Sequence, residues 1–246
     1  MRIDKDKCAG CGQCTEFCTL GRIAVCRRDP GTGKLYYEIN EDECVDCGVC
    51  LRSGVCEAGA LFMPAYEWPR TVRSAFSDPT VEHRDTKVAG RGTEEIKTNE
   101  ITGRIKRGFV GISCEMGRPS VGARFSDIEK VAMALAQLGV EFEPNNPCTR
   151  LMADPQTGRY KEEVLNEKVL SAIIEMIVPI GQMTALLSAI RRVAGEVDCV
   201  FSVDLITVLE PGNVIPTLPL LQSLQWPVLP NGKMNTGLGR PLAKEG

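Results

Sequence analysis

From residue 106 onward, apolar positions recur with two alternating periods. Val110, Ile112 and Cys114 alternate with Gly111 and Ser113, which predicts a strand. The run Gly117-Arg118-Pro119-Ser120-Val121-Gly122 then turns the chain. Ile128, Val131, Ala132, Leu135 and Leu138 follow at helical spacing, with Ser126 and Glu129 placed as a capping box and Gly139 as the stop. Val140 and Phe142 predict a short strand. Asn145-Asn146-Pro147 is a turn, and Cys148 to Met152 predicts another strand, ending at Asp154-Pro155-Gln156-Thr157-Gly158. Lys161 to Val178 predicts a helix, and Pro179 opens a second helical stretch to about Ala194. Val197, Cys199, Phe201, Val203 and Leu205 make a last alternating strand. The succession strand–helix–strand–strand–helix–strand predicts an α+β sandwich of βαββαβ order over residues 106–210.

The flanks of this unit pattern differently. Ile23 to Cys26 and Leu35 to Ile39 are rich in strand formers and enclose Asp29-Pro30-Gly31-Thr32-Gly33, which predicts a hairpin. Residues 66–105 show poor apolar periodicity and predict an extended, solvated linker. Residues 211–246 are broken by prolines yet carry Leu218, Leu220, Leu221, Leu224, Trp226 and Val228. Such apolar side chains predict an extended tail that docks on another subunit, the alternative being a tail packed across its own domain.

Composition adds one large anomaly. The chain has 246 residues, 43% hydrophobic and 25% charged, an ordinary globular mixture. A formal net charge of −3 argues against a broad nucleic-acid footprint, and no run predicts a membrane span. A single histidine, His83, disfavours His-based catalysis or zinc binding; it is expected at the surface. Cysteine is the anomaly: 12 in all, nine of them in the first 56 residues. The first residues have no apolar core of a secretion signal, so a cytoplasmic protein with reduced or metal-bound thiols is expected rather than a disulfide framework.

The cysteines form an internal repeat. Cys8, Cys11 and Cys14 recur 36 residues later as Cys44, Cys47 and Cys50, whereas Cys18 recurs 38 residues later as Cys56. The following turn, Gly21-Arg22-Ile23, keeps the offset of 38 in Gly59-Ala60-Leu61. C-x2-C-x2-C wraps a tight loop that offers three thiolates to one cluster. The fourth cysteine follows on a short turn that leads away, placing it toward the other cluster. Soft thiolates suit iron–sulfur or zinc, but triplets without histidine are a poor zinc pattern.

With CAGCGQCTEFC and CVDCGVC in view, residues 1–65 resemble a bacterial-type 2[4Fe-4S] ferredoxin domain. The resemblance covers about a quarter of the chain and its motifs are specific. It implies a pseudo-twofold βαββαβ unit relaying single electrons through two [4Fe-4S] clusters. Cys8, Cys11, Cys14 and Cys56 would hold one cluster, and Cys44, Cys47, Cys50 and Cys18 the other. The chain departs from the family pattern twice. Thr19 and Glu57 stand where the family carries proline, and Cys50 to Cys56 is longer than usual. The sandwich at 106–210 is then ferredoxin-like in element order without clusters, and weakly similar in order to an ACT-type regulatory domain.

The remaining candidates are weaker. Cys26 is expected as a small buried hydrophobe, or as a spare ligand. Cys114, Cys148 and Cys199 fall on separate predicted strands and are expected as buried structural thiols. Gly90-Arg91-Gly92-Thr93, and Gly117 to Asp127 with Arg118 and Arg124, could present amides and charge to an anion, or could simply connect elements. No nucleophile–base pair or nucleotide motif stands out, so catalysis by the chain alone is not expected. The functional expectation is an electron-transfer subunit of a larger anaerobic oxidoreductase, in a hetero-oligomer with redox-enzyme subunits and a soluble or protein donor. The alternative is a redox-linked regulator whose C-terminal domain binds a small ligand.

Overall fold

The structure, a computed structural model, describes residues 1–21, 23–84, 87, 103–118 and 121–229. The chain begins with β1 (Arg2–Ile3), a 3-10 turn at Gln13–Phe17, β2 (Ala24–Arg28), β3 (Leu35–Ile39), α1 (Val49–Arg52) and β4 (Leu61–Phe62). β1 pairs antiparallel with β4, and β2 with β3. The hairpin closes where the Asp29 carboxylate accepts from the amides of Gly31 and Thr32 at 3.0 and 2.8 Å, a turn the Asp side chain itself organises.

The sequence repeat is also a backbone repeat. Gly12 and Gly48, 36 positions apart, take left-handed φ of 74° and 71°. Gly10 does the same at 70°, but its counterpart is Asp46 at 52°, an L-residue held in a region that favours glycine. At Gly10 a Cβ would lie 2.7 Å from the Leu35 carbonyl oxygen, so that loop must approach β3 bare.

α2 (Thr71–Ser77) corrects the extended linker expected at 66–105. Val72 and Phe76, four apart on one helical face, are 4% and 1% exposed and enter the core of the second unit. Phe76 meets Phe125 edge-on at 5.4 Å and His83 at 4.3 Å. His83 is therefore buried under an aromatic ring, not at the surface. The Gly90–Thr93 candidate lies outside the described residues.

The second unit comprises β5 (Phe109–Met116), β6 (Ala123–Arg124), α3 (Phe125–Ala136), β7 (Glu141–Phe142), α4 (Pro147–Arg150), β8 (Met152–Asp154), β9 (Arg159–Tyr160), β10 (Lys168–Val169), β11 (Ala172–Pro179), α5 (Met183–Val193), β12 (Phe201–Thr207) and α6 (Leu218–Ser223). Four strands form one antiparallel sheet in the order β12-β5-β11-β7. With α3 and α5 packed together as the two connections, this is a split βαββαβ arrangement. Val110, Ile112, Cys114 and Met116 alternate along β5, fully buried in the core.

Several expected elements change. Lys161 to Val178 is not a helix: its second half is β11, buried on both faces and β-branched at Ile173, Ile174, Ile177 and Val178. Cys148 is in α4, not in a strand. Asn146 caps that turn by accepting from the Cys148 amide at 2.7 Å, and Pro147 sits at its first position. Ser126 does not cap α3. The amides of Phe125 and Ser126 instead donate to the carbonyls of Glu167 and Leu165, at 3.0 and 2.9 Å, while Glu129 accepts from the Tyr160 amide. Described residues of the tail fold back. Leu221 is 6% exposed, Leu220, Leu224 and Trp226 pack beside it, and the Arg191 guanidinium lies 4.8 Å over Trp226. The extended form expected of 211–246 does not hold up to residue 229; residues 230–246 lie outside the described residues.

Candidate iron–sulfur site

The short 3-10 turn carries Cys14 and ends at Cys18, whose extended backbone (φ −76°, ψ 118°) takes the chain away from the first cysteine loop. α1 begins just after Gly48 and carries Cys50 in the same way. The outcome is two cavities. One, of about 140 Å³, is lined by Cys8, Cys11, Cys14 and Cys56. The other, of about 40 Å³ and almost wholly apolar, is lined by Cys18, Cys44, Cys47 and Cys50, with Met1, Ile23, Ile39 and Leu61. Each therefore takes three cysteines from one repeat and is completed from the other, by Cys56 in the first cavity and by Cys18 with Cys14 in the second. Cys14 lines both, so the cavities are neighbours.

The electrostatic neighbourhoods give the same grouping. Burial raises the Cys14 thiol pKa first, and the nearby Cys56, Cys8 and Cys11 add to it. Burial pushes Cys50 to about 11, helped by Cys47, Cys44, Cys14 and Cys18. Cys44 also reaches about 11, through burial and then the Asp46 carboxylate. Such thiols keep their protons near neutral pH until a metal replaces them.

Donors already point at several sulfurs. The amides of Gly10 and Tyr37 donate to Cys8 Sγ at 3.5 and 3.4 Å, and the Ala60 amide to Cys56 Sγ at 3.3 Å. Thr19 Oγ1 lies 3.4 Å from Cys47 Sγ. The second cysteine loop is more deeply fixed than the first. Asp46, fully buried, accepts from the Met1 ammonium and from Arg70 Nε at 2.9 Å. Arg70 in turn lies 4.7 Å over the Tyr66 ring. Arg52 donates to the Cys47 carbonyl at 2.7 Å and pairs with Asp78.

The same loop is fastened to the second unit. Arg73, on α2, donates to the carbonyls of Glu41, Asp42 and Cys44 at 2.8–2.9 Å and pairs with Glu167. Glu43 binds both Arg124, at 2.7 Å, and Lys168. None of Asp46, Arg52, Arg70 and Arg73 was a sequence candidate. Asp46 was nonetheless visible as the charged counterpart of Gly10 in the repeat.

Among the described residues, no group of three or more His, Cys, Asp or Glu side chains is arranged to hold a single metal ion. One zinc ion would draw its thiolates to about 3.8 Å of one another, from Zn–S bonds of about 2.3 Å. A four-iron cluster binds each thiolate through a different iron, so its ligands stand further apart around a cavity. The all-thiol donor sets around cavities fit an iron–sulfur group better than a single zinc ion. Cys26 lines neither cavity; it is exposed on β2 opposite Tyr37, not buried as expected. Arg118 pairs with Glu115 and Arg124 with Glu43, so both proposed anion cations are engaged within the protein. Cys114 and Cys148 are fully buried in the second unit and Cys199 is partly buried.

Over 61 residues the chain is 30% identical to a protein of Methanocaldococcus jannaschii named as an uncharacterized ferredoxin, a stretch that spans 25% of this chain and 73% of that one. The chain belongs to the ferredoxins. The ferredoxin relationship covers a quarter of its length and leaves the rest without a named relative in that match. No family model and no solved structure matches. In this ferredoxin no helix among the described residues is long and apolar enough to cross a membrane.

Proposed function

We propose that the chain is an iron–sulfur electron carrier that binds two [4Fe-4S] clusters. Cys8, Cys11, Cys14 and Cys56 ligate one, and Cys44, Cys47, Cys50 and Cys18 the other. The observation that carries this reading is the crossed pair of cavities, one lined by three thiols of the first repeat and Cys56, the other by three of the second repeat with Cys18 and the shared Cys14. Bound clusters supply one-electron acceptance and release. The chain's own residues supply eight thiolates, amide and hydroxyl donors to sulfur, and apolar walls that limit water. Cys14, common to both linings, supports transfer between the two sites.

The carrier serves a larger anaerobic oxidoreductase as a cytoplasmic subunit. Phe17, Leu51 and Phe62, 38–43% exposed beside the cysteine loops, support a protein partner there. Four thiolates around an oxidised core of about +2 leave about −2 per cluster, which favours a basic partner face. Iron and acid-labile sulfide in anaerobically reconstituted protein should each come to about eight per chain; four or fewer overturns the two-cluster reading. Co-purification from the native host under anaerobic conditions tests the partner, and a carrier recovered alone overturns complex membership.

A further inference from the structure

The two halves of the repeat differ where it matters for redox tuning. Of the sulfur–donor contacts given above, the Cys8 site has three, all backbone amides. The Cys44 site has fewer, the Thr19 hydroxyl at Cys47 and the Asp46 amide at Cys44. Its loop is also the more buried, with Cys44, Val45 and Asp46 at 7%, 2% and 0% exposure, whereas Cys11 is exposed. Gly10 in the first loop becomes Asp46 in the second, and Asp46 Oδ1 lies 3.4 Å from Cys44 Sγ. A carboxylate this close to a ligand sulfur opposes the extra negative charge of the reduced state. The Met1 ammonium, on the same Oδ1, and Arg70, on the other carboxylate oxygen at 2.9 Å, both reduce that opposition.

Donors to sulfur and solvent exposure both stabilise the more negative, reduced form and raise a site's potential; burial and a nearby carboxylate lower it. Donors, exposure, burial and the carboxylate point one way; the Met1 ammonium and the arginines on the second loop limit the difference. We infer that the two sites are built to unequal potentials: Asp46 holds the Cys18/Cys44/Cys47/Cys50 site below the Cys8/Cys11/Cys14/Cys56 site, and Arg70 limits how far. This rests on the two-cluster reading above. Arg70 and Asp46 are positioning residues in this account, because each acts through the environment of the Cys44 sulfur. Each site takes up one electron, supplied in the test by dithionite.

The test is a potentiometric titration of the full, cluster-loaded chain followed by low-temperature EPR. Two one-electron waves are expected, and the lower one should be missing in Cys47→Ala. Asp46→Asn keeps a residue that tolerates left-handed φ and removes the charge; it should raise the lower wave. Arg70→Met should depress the same wave, and Arg70→Lys should restore it in part. At a fixed poise each neutralising change should alter the reduced-to-oxidised ratio of that site at least tenfold, about 59 mV for one electron. The upper wave should stay in place. Coincident waves, or shifts of the same sign in Asp46→Asn and Arg70→Met, overturn the inference. Should Arg70→Met lose its cluster, the sign and site-selectivity of Asp46→Asn alone decide. Protein that holds no iron fails the two-cluster reading instead, so the two failures are distinguishable.

Discussion

Arg73→Met tests whether the second unit is a scaffold for the cysteine loop or an independent appendage. Arg73 is 5% exposed, and its guanidinium joins three carbonyls of one loop to a carboxylate of the other unit. Methionine keeps most of the stem volume but leaves those carbonyls without a donor and Glu167, 12% exposed, without its cation. Breaking a buried ion pair from one side costs about 3–5 kcal/mol, well above the ~0–1 kcal/mol of an exposed pair. Against a total stability of about 5–15 kcal/mol this is a large fraction. The assay is urea denaturation of the cluster-loaded protein under anaerobic conditions, with circular dichroism for the fold and visible absorption for the clusters. The midpoint should fall with an unchanged slope, and cluster bleaching should precede the loss of secondary structure, because the Cys44 carbonyl accepts one of the hydrogen bonds of the bridge. Arg73→Lys should recover only part of the loss, since one ammonium cannot span a planar fork of acceptors. A loss below about 1 kcal/mol in Arg73→Met, with bleaching and unfolding coincident, refutes the scaffold argument.

Phe76→Ala should cost about 3–5 kcal/mol in the same denaturation, because a fully buried ring between His83 and Phe125 is removed; a neutral outcome would return residues 71–77 to the status of a linker. The Glu43 carboxyl is held below the usual range chiefly by its hydrogen bond from Lys168, with Arg124 contributing. A depressed folded-state pKa adds stability above the unfolded value, lost as pH falls through the lowered one. Midpoints of the parent chain and Glu43→Gln should therefore differ at pH 7 and converge in acid, and a constant gap would contradict this. Cys26→Ser should leave iron content and both EPR signals unchanged, whereas Cys14→Ala, at the shared wall of the cavities, should lose at least one cluster's worth of iron.

Local signals were legible in the sequence, and long-range ones were not. The eight-cysteine repeat is legible because its spacing is a property of a few consecutive residues, and those cysteines line two adjoining cavities. α3 could be read because one face is apolar over three turns. β11 was misread because both of its faces are buried: Ile173 and Glu175 on one, Ile174 and Met176 on the other, all at 3% exposure or less. Such a strand shows no alternation and resembles a buried helix by periodicity. Its β-branched run was the available signal. α2 leaves little trace in the sequence because only Val72 and Phe76 of its seven residues are buried apolar side chains. Arg73 was invisible because its four partners lie 29 to 94 positions away.

The asymmetry of the repeat ties these points together. An isolated pseudo-twofold unit would have no reason to treat its halves differently. Here the first loop keeps glycine at position 10 and faces outward, while the second has Asp46 there and is gripped by Arg52, Arg70 and Arg73. All three arginines lie beyond the fourth-ligand loop or within it, and Arg73 and its neighbours connect onward to Glu167, Arg124 and Lys168 of the sandwich. Extra chain length thus acts on one half of the cysteine repeat. If that selectivity is electrostatic, Asp46→Asn should raise the lower wave with both clusters retained; if it is only mechanical, the same change should alter cluster retention and leave both potentials where they were.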